Sequence, residues 1–137
     1  MSVPEQFFDT NILLYLLSAD VAKADTAEEL VSQGGHLSVQ VLNEFAAVAT
    51  RKLGLALVEI REFLLPLRTV CQIAPLTTET HDLGLSIAER YRLSIYDAMI
   101  AASALIAGCK TLYSEDLQHD LLIERKLRVR NPFVVQG

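Results

Sequence analysis

Cysteine is scarce in this 137-residue sequence, which holds only Cys71 and Cys109. Two thiols cannot form the disulfide framework of a small secreted domain, and a reducing compartment is expected. Long apolar runs are missing too. The longest, Ala98 to Gly108, is interrupted by Ser103 and falls far short of the ~20 residues of a membrane span. Met1 to Gln6 shows neither the basic region nor the apolar core of a signal peptide. A cytoplasmic protein with no membrane partner is expected. A basic excess is also lacking: 12 Lys and Arg face 17 Asp and Glu, a formal net charge of −5. That balance argues against a passive nucleic-acid-binding module, which carries a basic footprint. It leaves room for an enzyme that meets nucleic acid through bound cations, and it suits a basic partner. No internal repeat, Gly-x-Ser-x-Gly elbow, P-loop or Gly-x-Gly-x-x-Gly run occurs.

What is present describes one folded unit. Hydrophobic residues make up 51% and charged residues 21%, a balance that excludes disorder. The length fits a single domain, 1–137. Glu5–Asp9 reads as a strand turning into a helix over Ile12–Leu17, capped by Thr10 or Asn11. Helices follow over Ala19–Gln33, stopped by Gly34-Gly35, and over Val39–Leu53, closed by Gly54. Another spans Leu55–Val70, with Pro66 expected to kink or stop it. Thr78–Tyr91, capped by Thr78, and Tyr96–Ala107, ended by Gly108, complete the helices. Short strands are expected at His36–Ser38, Gln72–Ala74 and Lys110–Tyr113, with Leu121–Ile123 and Val129–Val135 strand-like. Strands separated by helices predict an α/β fold, a parallel sheet covered on both faces. In such sheets ligands bind beyond the carboxyl ends of the strands.

Four acids stand out. Asp9 ends the first strand, and Asp116 follows the strand Lys110–Tyr113. Each also reads simply as a cap of the helix that follows. Asp97 is the only charged residue from Ile95 to Gly108. Its helix is apolar all round and therefore buried, where an ionised carboxylate needs compensation. Ser94 to Asp97 also fits a capping box, so Asp97 is a helix-start residue, a metal ligand, or both. Glu44 lies at the edge of the stripe formed by Val41, Leu42, Phe45, Val48 and Ala49, where it can face a cleft or water. Acids that converge repel one another and persist when a cation binds them, and an all-oxygen donor set suits Mg²⁺ or Mn²⁺. Zinc is disfavoured: His36, His81 and His119 are far apart and the cysteines lack a C-x-x-C spacing. The cysteines read as small buried apolar residues. Arg51, Lys52, Arg61 and Arg68 read as solvated helix faces, or as part of a rim that holds a nucleic-acid backbone.

Phe8-Asp9-Thr10-Asn11-Ile12-Leu13, Leu42-Asn43-Glu44-Phe45, Tyr96-Asp97-Ala98-Met99-Ile100-Ala101-Ala102, Ser114-Glu115-Asp116-Leu117-Gln118 and the closing Asn131-Pro132-Phe133 occur in this order. Together they make the sequence resemble bacterial PIN-domain ribonucleases of the VapC toxin type, from Phe8 to Phe133. The resemblance implies a three-layer α/β/α domain with a parallel sheet of about five strands. It implies metal-dependent endonucleolytic cleavage of RNA, with Asp9, Glu44, Asp97 and Asp116 as the acidic quartet and Mg²⁺ or Mn²⁺ as the cofactor. Asp9, Asp97 and Asp116 would be direct or water-mediated ligands, and Glu44 a ligand or a group that orients water. Asn11 and Ser114 match the polar companions that support these ligands, and Asp120 is an additional acid nearby. A homodimer and a small DNA-binding antitoxin protein are the partners implied. A basic segment of that antitoxin would lie in an apolar groove formed between Ala19 and Val70, with an Arg or Lys taking the metal's place.

Three other readings compete. A stand-alone RNA-processing nuclease would share the quartet and have no antitoxin. An Asp-based phosphatase of the haloacid-dehalogenase pattern wants a second Asp two residues after Asp9, where Asn11 stands. A receiver-like signalling domain needs an acidic pair after the first strand, and Asp9 is unpaired.

Overall fold

The computed structural model describes residues 3–134. Along the chain run β1 (Gln6–Phe8), α1 (Thr10–Tyr15), α2 (Val21–Ser32), β2 (Gly35–Ser38), α3 (Val39–Leu53), α4 (Leu57–Val70), β3 (Cys71–Ala74), α5 (Thr78–Tyr91), α6 (Ile95–Ile106), β4 (Thr111–Tyr113), β5 (Leu122–Ile123) and β6 (Leu127–Arg130). The strands form one sheet in the order β3-β2-β1-β4-β6-β5. Five run parallel, and β5 pairs antiparallel with β6. The expected sheet of about five parallel strands is present, with a sixth added at one edge. Among the described residues no helix is long and apolar enough to cross a membrane.

The winding explains the layers. From β1 the chain steps outward through β2 to β3, then returns to place β4 on the other side of β1. Right-handed crossovers put the helices of the outward steps on one face and those of the return on the other. Accordingly α1 to α4 pack on one another, while α5 packs on α6, and α6 lies against β2, β4 and β6. Phe7, Phe8, Leu37, Leu112, Leu127 and Val129 fill the sheet's share of the core. Against them α6 buries Ala98 to Ala104 without interruption, as its uncharged sequence predicts, while Ile95, Tyr96 and Ile106 at its ends are exposed. Gly84 of α5 is what lets those two helices meet: a Cβ there would lie 2.3 Å from Met99 Sδ.

Caps set most helix ends. Ser38 Oγ accepts from Val41 N–H at the start of α3, and Gly54, at φ 66°, closes it. Val41, Phe45 and Ala49 recur every four residues on the buried face of α3, and Phe45 stacks on Phe63 of α4. Five expectations need correction. The first helix starts two residues early, at Thr10, because Asp9 is its cap: Asp9 Oδ1 accepts from Thr10 N–H at 2.7 Å. Thr77, not Thr78, caps α5, with Thr80 as its reciprocal partner. The helix expected from Leu55 begins at Leu57, where Glu59 Oε1 accepts from Ala56 N–H. Pro66 does not stop α4, which continues to Val70; Pro66 and Glu62, four residues earlier, are both exposed, so the Glu62 carbonyl that loses its helical partner is open to water. The strand expected at Val129–Val135 is β6, shifted to Leu127–Arg130, and Val135 lies outside the described residues.

Candidate active site

The winding reverses between β1 and β4, and adjacent parallel strands whose connections leave in opposite directions open a crevice at their carboxyl ends. Register places Phe8 beside Tyr113, so the residues after each, Asp9 and Ser114, emerge together. Asp9 N–H donates to the Tyr113 carbonyl at 3.0 Å, and Ser114 Oγ donates to Asp9 Oδ2 at 2.6 Å. The third contribution comes from the start of α6, which brings Asp97 over the same edge. Carboxylate oxygens of Asp9, Asp97 and Asp116 lie within 4.8 Å of one another. Among the described residues this is the one cluster with the makings of a metal site.

Asp9 is 3% exposed. Burial pushes its carboxyl up to about 7, against the opposing hydrogen bonds from Ser114 and Thr10, and the charges of Asp116 and Asp97 push the same way. Asp97 is half-buried and also held above the usual carboxylate range, first by burial and then by Asp116 and Glu44, with a Ser94 hydrogen bond opposing. Its place at the helix start and its place among the acids coexist. The backbone N–H of Asp97 bonds Ser94 Oγ as a helix cap, while its carboxylate stands in the cluster.

Two side chains brace the acids. Asn11 Nδ2 donates to Asp9 Oδ2 at 3.3 Å and to Asp116 Oδ2 at 3.1 Å, and Asn11 Oδ1 accepts from Glu115 N–H. Ser114 Oγ, buried, also accepts from Asp116 N–H. Asn11 and Ser114 are thus each bonded to both Asp9 and Asp116. Glu44 stands apart. Its carboxylate is outside the cluster; Thr10 Oγ1 donates to Oε2 at 2.8 Å and Gln40 Nε2 to Oε1 at 2.9 Å. Glu44 lines the same cleft as Asp116 and Asn11. Asp120 belongs elsewhere, paired with Arg130 and His119.

Several residues at the site have no local sequence signal, or one that reads otherwise. Gln40 is one turn before Glu44 on the same helix face, which is a usable cue; its amide also donates to the Tyr96 carbonyl, tying α3 to α6. Tyr15 O–H donates to Glu115 at 2.6 Å, while Lys23 donates to Tyr15 and lies over the rings of Tyr15 and Phe133. This group backs the Ser114–Asp116 turn from the side away from the cleft, and only the fold reveals it. Cys71 and Cys109 are buried and unreactive by environment, their thiols pushed up by burial to about 11 and about 12.

An all-oxygen set of three carboxylates, one of them buried and short of compensating charge, fits a hard divalent cation. Asp9, Asp97 and Asp116 have the donors and Asn11 and Ser114 the orienting bonds. Asn11 also stands where a phosphatase would need its second acid, and it is committed to bracing Asp9.

Known structures share this arrangement of strands and helices. The toxin VapC20 of Mycobacterium tuberculosis, described as cleaving the Sarcin-Ricin loop, is 22% identical, with a TM-score of 0.66, over 80% of this chain and 88% of that one. A toxin-antitoxin complex from Klebsiella pneumoniae is 20% identical, with a TM-score of 0.71, over 95% of this chain and 99% of that one. VapBC2 from Rickettsia felis, bound to a DNA fragment from its promoter, is 19% identical, with a TM-score of 0.61, over 92% and 97%. At such identities the likeness is one of fold. None of the curated proteins matches the sequence. The PIN domain family matches residues 7–122, a span from β1 into β5 that takes in Asp9, Glu44, Asp97 and Asp116. The chain belongs to the PIN domain family.

Proposed function

We propose that this protein is a divalent-metal-dependent endoribonuclease and the toxin of a toxin–antitoxin pair. The observation that carries the reading is the convergence of Asp9, Asp97 and Asp116 at the reversal point of the sheet. A phosphodiester is anionic, and so are these acids; binding it against them requires positive charge that the cluster itself does not supply. Asp9, Asp97 and Asp116 would hold Mg²⁺ or Mn²⁺, which when bound offsets that repulsion, activates water and stabilises the leaving oxygen.

The chain's own residues do the positioning. Asn11 sets the separation of Asp9 and Asp116 with one amide. Thr10 and Ser114 each fix one oxygen of Asp9. Glu44, held at both oxygens by Thr10 and Gln40, faces the cleft as an oriented acceptor and can align the attacking water. No side chain needs to become covalently attached to the substrate.

A groove between α2 and α4, lined by Leu16, Val31, Phe63, Leu67 and Val70 and edged by Glu28 and Glu62, supports the antitoxin reading. Apolar with acidic edges, it suits a basic amphipathic segment. The solved toxin–antitoxin complexes with this fold support the same reading. The exposed Leu57, Val58 and Leu65 of α4 support self-association.

The test is cleavage of RNA with Mg²⁺ or Mn²⁺ and with EDTA, comparing wild type with Asp97→Asn. Cleavage that needs the metal and is lost in the variant is the expected result; EDTA-resistant cleavage, or an active Asp97→Asn, defeats it. Co-expression with the neighbouring gene should yield a tight, inactive complex with a small basic-tailed protein. Failure of any such protein to copurify would leave a stand-alone nuclease as the better account.

A further inference from the structure

From the acids a cleft of about 870 Å³ runs between α3 and the α5–α6 pair. Its lining is unusual for a surface that receives RNA. Leu14, Ala47, Val48, Leu76, Ile95 and Met99 make much of the wall, and Arg51 is the only Lys or Arg on it. A groove that grips nucleic acid by its backbone is lined with cations. This one offers apolar surface and, at its edge, the ring of Tyr96, a side chain 70% exposed beside Asp97.

We infer that Tyr96 is a stacking platform for a nucleobase next to the scissile phosphate, and that Arg51 receives a flanking phosphate further along the same strand. This rests on the ribonuclease reading of the acid cluster. The ring contributes little to the core, yet its residue is firmly placed. The Tyr96 carbonyl accepts from Gln40, which also holds Glu44, and the next residue is a member of the cluster. A ring whose backbone is already fixed loses little freedom when a base stacks on it. Glu44, Ala47, Val48 and Arg51 line the cleft from one face of α3. Seven residues separate Glu44 from Arg51, so Arg51 lies about 10 Å along the helix, within reach of a short extended stretch of strand. Among the described residues Arg51 pairs with no carboxylate. A base stacked on Tyr96 has left any duplex, so the affinity comes from faces of bases more than from backbone charge.

The experiment measures KM and kcat on an unstructured RNA oligonucleotide for wild type, Tyr96→Ala, Tyr96→Phe and Arg51→Ala, over a salt series. Tyr96→Ala is expected to raise KM about tenfold, the scale of one lost base–aromatic stack, with the effect on KM and not on kcat. Tyr96→Phe, which keeps the ring face, restores KM. The wild-type slope of log(kcat/KM) against log salt is shallow, and Arg51→Ala flattens it by about 0.7, one single-strand phosphate contact. An unchanged KM in Tyr96→Ala overturns the inference, as does a Tyr96→Phe equally impaired. A change in sedimentation in place of a change in KM also overturns it, by making Tyr96 an interface residue. Where wild type cuts RNA and these variants behave as wild type, only this inference falls; where wild type cuts no RNA, the ribonuclease reading falls and takes the inference with it.

Discussion

Asp9 carries its charge against the grain of its surroundings. Its folded-state carboxyl is raised to about 7 from 3.8, chiefly by burial. An acid raised on folding binds its proton more tightly in the native state, so between those values the unfolded chain holds fewer protons. Stability is therefore fully present below about pH 4 and is lost as pH rises through about 7. The metal-free protein should show a lower denaturant midpoint at pH 8 than at pH 5, and Asp9→Asn should flatten that difference. A wild type with equal midpoints at both pH values would contradict the burial argument. A divalent ion reverses the sense, since it needs the carboxylate: Mn²⁺ should raise the melting temperature most at pH 8, and Asp116→Asn should lose the increment while remaining folded. The residue scale is also where the sequence is least explicit. Asp9 reads in sequence more readily as a cap than as a site acid; it is a cap, and its carboxylate also stands in the acid cluster. Nothing near Gln40 or Tyr15 in sequence tells of Tyr96 or Glu115, because those bonds exist only once the sheet has brought distant segments together.

At the scale of elements, legibility follows the strength of the end signals. The predicted bounds of α3 coincide with the observed ones: Gly54 closes the helix as read, and Ser38, read only as the end of a strand, caps its start. Those of α1 miss because three candidate caps stand in a row, Asp9-Thr10-Asn11, and geometry chooses the first. The β5–β6 hairpin was the most obscure part of the chain for a definite reason. Its turn, closed by Lys126 N–H to the Ile123 carbonyl, places Glu124 and Arg125 at φ 51° and 59°. Such a turn normally announces itself with Gly or Asn; here neither is present, and Glu124 is compensated by its Arg90 ion pair and by Tyr91 O–H accepting its N–H. Arg125, exposed, has no such recompense. Arg125→Gly should therefore stabilise the fold by about 1 kcal/mol, read as a higher denaturant midpoint at unchanged slope. A loss of stability would show that the left-handed conformation there costs nothing.

For the whole molecule, the alternation of strands and helices specified the α/β class, while the strand order did not follow from pattern alone. What decides it is that the third crossover returns past β2 and β1, and that single reversal makes the crevice. The crevice consequently joins segments far apart in the chain: Asp9 meets Ser114, and Asn11 meets Asp116, each across 105 positions. The α2–α4 groove, by contrast, uses only residues from Leu16 to Val70. On a ribosome adding about 5–20 residues per second, the stretch from Val70 to Asp116 takes roughly 2–9 s. All of the groove has been synthesised before the last acid exists. If the proposed antitoxin docks in this groove, translation order gives it an interval in which every residue of the groove has been made and the acids of the cluster are not yet together. A chain released before β4 lacks the strand that completes the crevice, and should show no cleavage at all.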